Sequence, residues 1–387
     1  MSHFAERLNH IAPFHVMELL ARAKALQADG HDVIHMEIGE PDFTTPATIV
    51  EAGIAALQSG KTGYSPALGI PELREAISQF YKDKFGVNVP ARRIVVTAGA
   101  SGALMLALGA LVSSGSEVLL TDPGYPCNRH FVRTLEGTPI NIPVGPDSKY
   151  QLTVEDIAQY WTDKTVAALV ASPANPTGTV LSQAEIQSLH QACAHKGGTL
   201  IVDEIYQGLT YGFEPQTALA ISDDLFVINS FSKYFQMTGW RLGWMVVPDA
   251  YLDAVTRLAQ NLFIAPPTPA QYAALAAFTP TTIEILESRR HIFAERKAAL
   301  KPALLDIGFQ IHADPQGAFY FYADCQHIAE DSYALAKNAL EKAYVAITPG
   351  IDFGSHLASQ HIRIAYTAET NILLAAAERL QKLIKQG

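Results

Sequence analysis

Between about residue 90 and residue 250 the chain alternates between two hydrophobic patterns. Seven short apolar runs stand out: Ile94-Val95-Val96, Val118-Leu119-Leu120, Ile140-Asn141-Ile142, the run at 166–170, Leu200-Ile201-Val202, Phe226-Val227-Ile228 and the run at 244–247. Stretches with helical spacing separate them. Runs that are apolar throughout, rather than at every second position, belong to strands covered on both faces. An α/β fold with a mainly parallel sheet follows, and ligands of such sheets gather at the carboxyl ends of the strands.

Downstream, Pro266, Pro267 and Pro269 introduce a helical stretch that the pattern carries to about Leu304. Shorter strands are expected near 317–321, 345–347 and 362–364. The chain therefore divides into an N-terminal segment, 1–45, packing with the smaller unit; a large domain, 46–280; and a small C-terminal α/β domain, 281–387. No internal repeat or low-complexity tract interrupts it.

Composition narrows the function. At 387 residues and 49% hydrophobic content the chain can bury a large core, and a formal net charge of −10 gives no general attraction to a nucleic acid backbone. The 3 cysteines, Cys127, Cys193 and Cys325, form no Cys-x-x-Cys pair and have no histidines at zinc spacing, so no metal is expected and a reducing cytoplasm fits. The N-terminal residues carry no apolar signal core, and the most apolar stretch, 103–112, is too short to span a bilayer. A soluble, cytoplasmic protein working on small molecules is expected.

The candidate chemistry lies at strand ends. Lys233, in Ser230-Phe231-Ser232-Lys233, follows the run at 226–228, and Arg241 precedes the next strand in a Gly-Trp-Arg-Leu-Gly turn. A lysine amine condenses with an aldehyde cofactor, while hydroxyls and an arginine hold its phosphate. Asp203 closes Leu200-Ile201-Val202, where an unpaired carboxylate is costly to desolvate; a protonated pyridine nitrogen would be its cationic partner. Gly99-Ala100-Ser101-Gly102 opens a helix after the strand at Ile94, presenting N–H donors suited to phosphate. Tyr125 follows the strand at Val118 and can stack on a planar ring; the Asn175 amide can donate to a ring oxygen. In His361-Ile362-Arg363-Ile364 the arginine should project from one strand face, where its guanidinium can bind a substrate carboxylate with both oxygens.

Together with Gly39-Glu40-Pro41-Asp42-Phe43, Tyr64, Asn175-Pro176-Thr177-Gly178 and Asp203-Glu204-Ile205-Tyr206, these landmarks run in order along nearly the whole chain. The chain resembles the class I/II aminotransferases of the aspartate aminotransferase superfamily, pyridoxal phosphate enzymes of fold type I. The resemblance implies a seven-stranded sheet flanked by helices plus a smaller α/β domain. It implies that Lys233 carries pyridoxal 5′-phosphate as an imine and acts as general base, that Asp203 pairs with the pyridine nitrogen, and that Tyr206 and Asn175 contact the ring oxygen. Tyr125 would stack on the ring. Ala100, Ser101, Gly102, Ser230 and Arg241 would bind the cofactor's phosphate end, joined by Tyr64 from the partner of a homodimer. Gly39, Asn175 and Arg363 would hold the substrate carboxylate.

The expected activity is transfer of an amino group between an L-amino acid and a 2-oxo acid, with ping-pong kinetics. A pyridoxal phosphate C–S β-lyase is the alternative, since the same carbanion can expel a β-substituent. A non-catalytic ligand-sensing module is a further one, though no DNA-binding segment is read in the chain. A nucleotide dehydrogenase lacks its glycine fingerprint. Ser101 occupies a position where some similar bacterial enzymes carry lysine, which leaves neutral amino donors at least as plausible as aspartate, and Phe14, Val16, Ile38 and Phe263 are candidate apolar neighbours of the substrate.

Overall fold

The protein is described from a computed structural model, over residues 4–386. The seven apolar runs form one sheet: β1 (Ile94–Thr97), β2 (Glu117–Asp122), β3 (Thr138–Pro143), β4 (Thr165–Ala171), β5 (Thr199–Asp203), β6 (Phe226–Ser230) and β7 (Gly243–Val246). Their spatial order is β1-β7-β6-β5-β4-β2-β3. Neighbours from β6 to β3 run parallel, and β7 is antiparallel to both β6 and β1. Helices Pro126–Thr134, Val154–Tyr160 and Gln183–His195 return the chain between parallel strands, as crossover geometry requires.

Burial follows position in the sheet. Every residue of β5, β6 and β7 is buried, whereas the edge strand β3 alternates between covered and open positions. Pro139 and Pro143 are tolerated in β3 because an edge strand has one unpaired side. The antiparallel β6–β7 pair sets Ser230 opposite Gly243, so the loop 231–242 leaves and re-enters the sheet at one point. That loop carries both Lys233 and Arg241.

A second sheet joins Tyr320–Asp324, His361–Ala365 and Thr348–Pro349 in antiparallel pairs. Ile34–His35 pairs in parallel with Val345–Ala346, tying the N-terminal segment to the C-terminal part of the chain. The helical stretch expected from Pro266 to Leu304 is instead two α-helices, Thr268–Leu275 and Pro280–Ile307. Pro280 forces the preceding Thr279 into extended backbone (φ −69°, ψ 146°), which breaks the helix there. The strand expected at 317–321 begins three residues later, at Tyr320.

Candidate active site

Loops at the carboxyl ends of the parallel strands enclose a cavity of about 350 Å³. Lys233 enters it three residues after β6. Its path is set by the Ser230 hydroxyl, which accepts the Ser232 N–H at 3.0 Å and lies 3.3 Å from the Leu242 carbonyl. Lys233 Nζ donates to the Gly39 carbonyl and sits 5.7 Å from the centre of the Tyr206 ring. Loss of water, then the positive charges of Arg363 and Arg241, outweigh Glu40 and Asp203 and bring its pKa down to about 8. Roughly a tenth of the amine is therefore uncharged at pH 7, far more than for a lysine of ordinary pKa, and that is the form nucleophilic attack requires.

Asp203 ends β5 and is 4% exposed, and its carboxylate accepts a single hydrogen bond, from the Ile205 N–H at 3.0 Å. Burial pushes its pKa up to about 6, against the opposing pull of that N–H and of Lys233. A buried carboxylate with so few donors, facing a cavity, is a receptor for a cation or an N–H.

At the other end of the cavity the backbone itself forms a cradle. Gly99 (φ +71°) opens the helix Gly99–Leu111, and a Cβ at that position would lie 2.8 Å from Arg241 Nη2. A Cβ on Gly243 would come within 2.7 Å of the Gly99 carbonyl carbon and 2.8 Å of the Ala100 nitrogen. Both positions exclude side chains, which seats the first turn of the helix against β7 and the Arg241 guanidinium against the helix start. N–H groups left free by the first helical turn, the positive end of the helix dipole and a guanidinium together suit a phosphate.

Across the cavity, Arg363 is fully enclosed, not projecting from an open strand face: every residue of His361–Ala365 is buried. Its Nη1 donates to Asn175 Oδ1 at 3.0 Å and its Nη2 to the Glu37 carbonyl at 2.5 Å, while its planar group lies 4.4 Å from the Tyr320 ring centre and 4.9 Å from that of Phe353. Its Nε is buried without a partner. Tyr206 and Tyr320 share a 2.8 Å hydroxyl–hydroxyl contact, and a Cβ on Gly39 would collide with the Tyr320 hydroxyl.

The residues singled out in the sequence mostly converge here. Gly39, Ala100, Ser101, Tyr125, Asn175, Asp203, Tyr206, Ser230, Lys233, Arg241 and Arg363 all line this cavity, as do Phe14, Val16 and Ile38. Gly102, Phe263 and Tyr64 are not among its lining residues. Gly102 packs towards Thr97, Ala98 and Phe263, and Tyr64 is 86% exposed. Tyr320, Thr238 and Glu40 line the cavity without having been assigned a role. Glu40 lies in a quoted motif, but Tyr320 belongs to an aromatic run, Phe319 to Tyr322, with no local signal for which ring reaches the site.

A buried, weakly basic lysine, a buried carboxylate, a helix start beside a guanidinium and an enclosed arginine around one cavity are a set of groups that suits a pyridoxal phosphate enzyme acting on amino acids. Residues 31–380 match the family model described as Aminotransferase class I and II, so the chain belongs to that family. It is 38% identical over 372 residues to the valine–pyruvate aminotransferase of Mycobacterium tuberculosis, covering 96% of each chain. Over 385 residues it is 37% identical to a (5-formylfuran-3-yl)methyl phosphate transaminase of Methanocaldococcus jannaschii, covering 99% of this chain and 100% of that one. A crystal structure of an aminotransferase from Mycobacterium tuberculosis superimposes with a TM-score of 0.96 at 36% identity, covering 100% of both chains. The chain is an aminotransferase of fold type I with pyridoxal phosphate as its cofactor. No described helix is long and apolar enough to cross a membrane.

Proposed function

We propose that this protein exchanges amino groups between an L-amino acid and a 2-oxo acid in two half-reactions at the Lys233 cavity, with the residue roles that follow. The observation that carries the assignment is the placement of Lys233 Nζ in a cavity that also contains Asp203, Arg241 and Arg363. Pyridoxal phosphate, when bound, supplies an aldehyde that condenses with amines and a ring that accepts the electron pair left when the substrate Cα loses its proton. Arg241 with the N–H groups of Ala100 and Ser101 and the Ser230 hydroxyl would hold its phosphate. Asp203 would receive the ring nitrogen and keep it protonated, Tyr125 would stack on the ring, and Tyr206 with Asn175 would donate to the ring oxygen.

Arg363 and Asn175 bind the substrate carboxylate with Gly39 closing over it. Arg363 is already aligned by Asn175 Oδ1 and the Glu37 carbonyl, so little side-chain entropy is lost on binding. That would hold Cα within reach of Lys233, whose uncharged amine can accept the Cα proton and hold it at Nζ. In the second half-reaction the same amine carries the proton in reverse.

Two further features belong to this proposal: the protein works in the cytoplasm, and it is a homodimer in which Tyr64 reaches the phosphate of the neighbouring subunit. Its exposure within one protomer supports that arrangement. The test of the central assignment is Lys233→Ala. The variant should fold, lose the cofactor's imine absorption band and lose amino-group exchange by at least about 10⁴-fold; normal turnover in a folded variant would overturn it.

A further inference from the structure

Two titratable side chains, His35 and Glu37, lie just outside the cavity lining, in the segment that leads to Gly39. Glu37 is 0% exposed. Its carboxylate has a single hydrogen-bond partner among the described residues: His35 Nδ1 lies 2.8 Å from Oε1, and Oε2 has none. A fully enclosed carboxylate is costly to keep ionised without a cation beside it. An ionised oxygen only accepts, so the His35 ring donates. That hydrogen bond raises the His35 pKa above its ordinary 6.5, against the opposing pull of burial. One protomer already encloses Glu37 completely, so the neighbouring subunit of a dimer adds nothing to it.

The charges on the surrounding elements are mostly engaged elsewhere. Lys24 of the helix His15–Ala28 opposes Glu37 at the His35 ring and is the smaller influence. Val345–Ala346, paired with Ile34–His35, brings no charge. Glu341 of the helix Ser332–Ala343 holds Arg22 at 2.6 Å, and Arg379 of the helix Thr370–Gln386 donates to the Asp32 carbonyl at 2.6 Å. Arg363 donates to the Glu37 carbonyl, not to its carboxylate.

Through its backbone the same glutamate aligns the substrate arginine. The Glu37 carbonyl accepts Arg363 Nη2 and, at 3.0 Å, the Thr348 hydroxyl, while the Gly39 carbonyl accepts Lys233 Nζ. A shift of segment 37–39 therefore moves acceptors of both cations. While His35 is charged, the buried carboxylate keeps its counter-ion. Loss of the proton on Nε2 preserves the Nδ1 hydrogen bond but leaves Glu37 as an uncompensated buried charge, which a shift of the segment towards water relieves. The sign follows from the raised pKa: the pairing is complete below 6.5 and is lost as pH climbs through the higher folded value.

We propose that His35 and Glu37 are positioning residues for the substrate carboxylate, the proton on the His35 ring being what keeps Glu37 seated and Arg363 aligned. The proposal rests on the assignment of Arg363 to that carboxylate.

The test uses holoenzyme with a 2-oxo acid, pyruvate or 2-oxoglutarate, as the varied substrate, because neither carries a titrating amine. In the wild type KM should rise about tenfold between about pH 6 and pH 9, with a smaller change in kcat. Glu37→Gln removes the buried charge and should flatten that rise to within about twofold. His35→Gln should hold KM at its high-pH level throughout, and adding Glu37→Gln to it should restore the low value, a non-additivity that packing alone would not produce. Followed by NMR, the His35 ring should titrate above 6.5 in the wild type and fall back towards that value in Glu37→Gln. Identical KM profiles for wild type and Glu37→Gln would overturn the proposal, as would additive effects of the two substitutions. Lys24 is exposed, so Lys24→Glu should fold whatever becomes of the other variants. It should move the KM rise to higher pH, and an unmoved rise counts against the pair. Failure of the carboxylate assignment looks different: Arg363→Lys would leave KM unaltered at every pH, and both readings would fall.

Discussion

At the scale of single residues the site is built from two groups whose charges the fold disfavours. Burial raises Asp203 from 3.8 to about 6 and lowers Lys233 from 10.5 to about 8. For Asp203 the folded state binds the extra proton, so its destabilising charge develops as pH rises from about 4 to about 6 and is fully present above that. For Lys233 the unfolded state binds the extra proton, so the cost of its buried charge is full below about 8 and fades as pH climbs towards 10.5. Cofactor-stripped Asp203→Asn should accordingly be more stable than cofactor-stripped wild type at pH 8, by on the order of 2 kcal/mol. Urea unfolding across pH should show that advantage shrinking between pH 6 and pH 4; a constant advantage would mean the buried charge is not its source. The same variant with cofactor bound should lose turnover by about 10² or more, because an amide does not keep a ring nitrogen protonated. Lys233, Asp203 and Arg241 were legible in the sequence because each is adjacent to an apolar run that declares a strand. Tyr320 was not, because its contact with Tyr206 spans 114 residues and nothing local marks it.

Between elements, the contact of β7 with the helix Gly99–Leu111 shapes the proposed phosphate cradle. Gly243 faces backbone atoms, and backbone cannot swing aside as a flexible side chain can. Gly243→Ala should destabilise the protein by about 1–3 kcal/mol through overpacking. It should also displace the helix start from Arg241 and weaken cofactor retention roughly tenfold, a central contribution of anion-cradle geometry. Equilibrium dialysis of the cofactor alongside a thermal melt separates the two effects: a lowered melting temperature with unchanged retention would show that the close approach serves packing alone. The opening of this helix was readable from the glycines after Ile94. The break at Thr279–Pro280 also had a signal, Pro280 itself, but the apolar periodicity on either side of it reads through the interruption.

On the scale of the whole molecule the proposed dimer makes the sharpest demand. Tyr64 is almost entirely exposed in one protomer, which a tyrosine with no partner surface gains little from. Wild type should sediment at twice the chain mass, and Tyr64→Phe should keep that mass while binding the cofactor about tenfold more weakly, the loss of one hydrogen bond to a charged group. Unchanged cofactor affinity would remove Tyr64 from the site; a monomer in solution would remove the arrangement altogether. The N-terminal segment is likewise a matter of the whole chain, since Ile34–His35 completes its pairing only with Val345–Ala346.

The amino-acid sequence by itself determined the strand set and the chemistry at its ends. Runs that are apolar throughout can only be satisfied inside a covered sheet, and polar residues placed at their termini are carried to its ligand-binding edge. Only the tertiary structure decided how Arg363 is enclosed by Asn175, Glu37, Tyr320 and Phe353, and that Asp352 caps a helix 337 residues distant. Periodicity reports what each segment must bury. Which distant segments meet to bury it, and with what shape of cavity left between them, is settled only when the packed elements share one space.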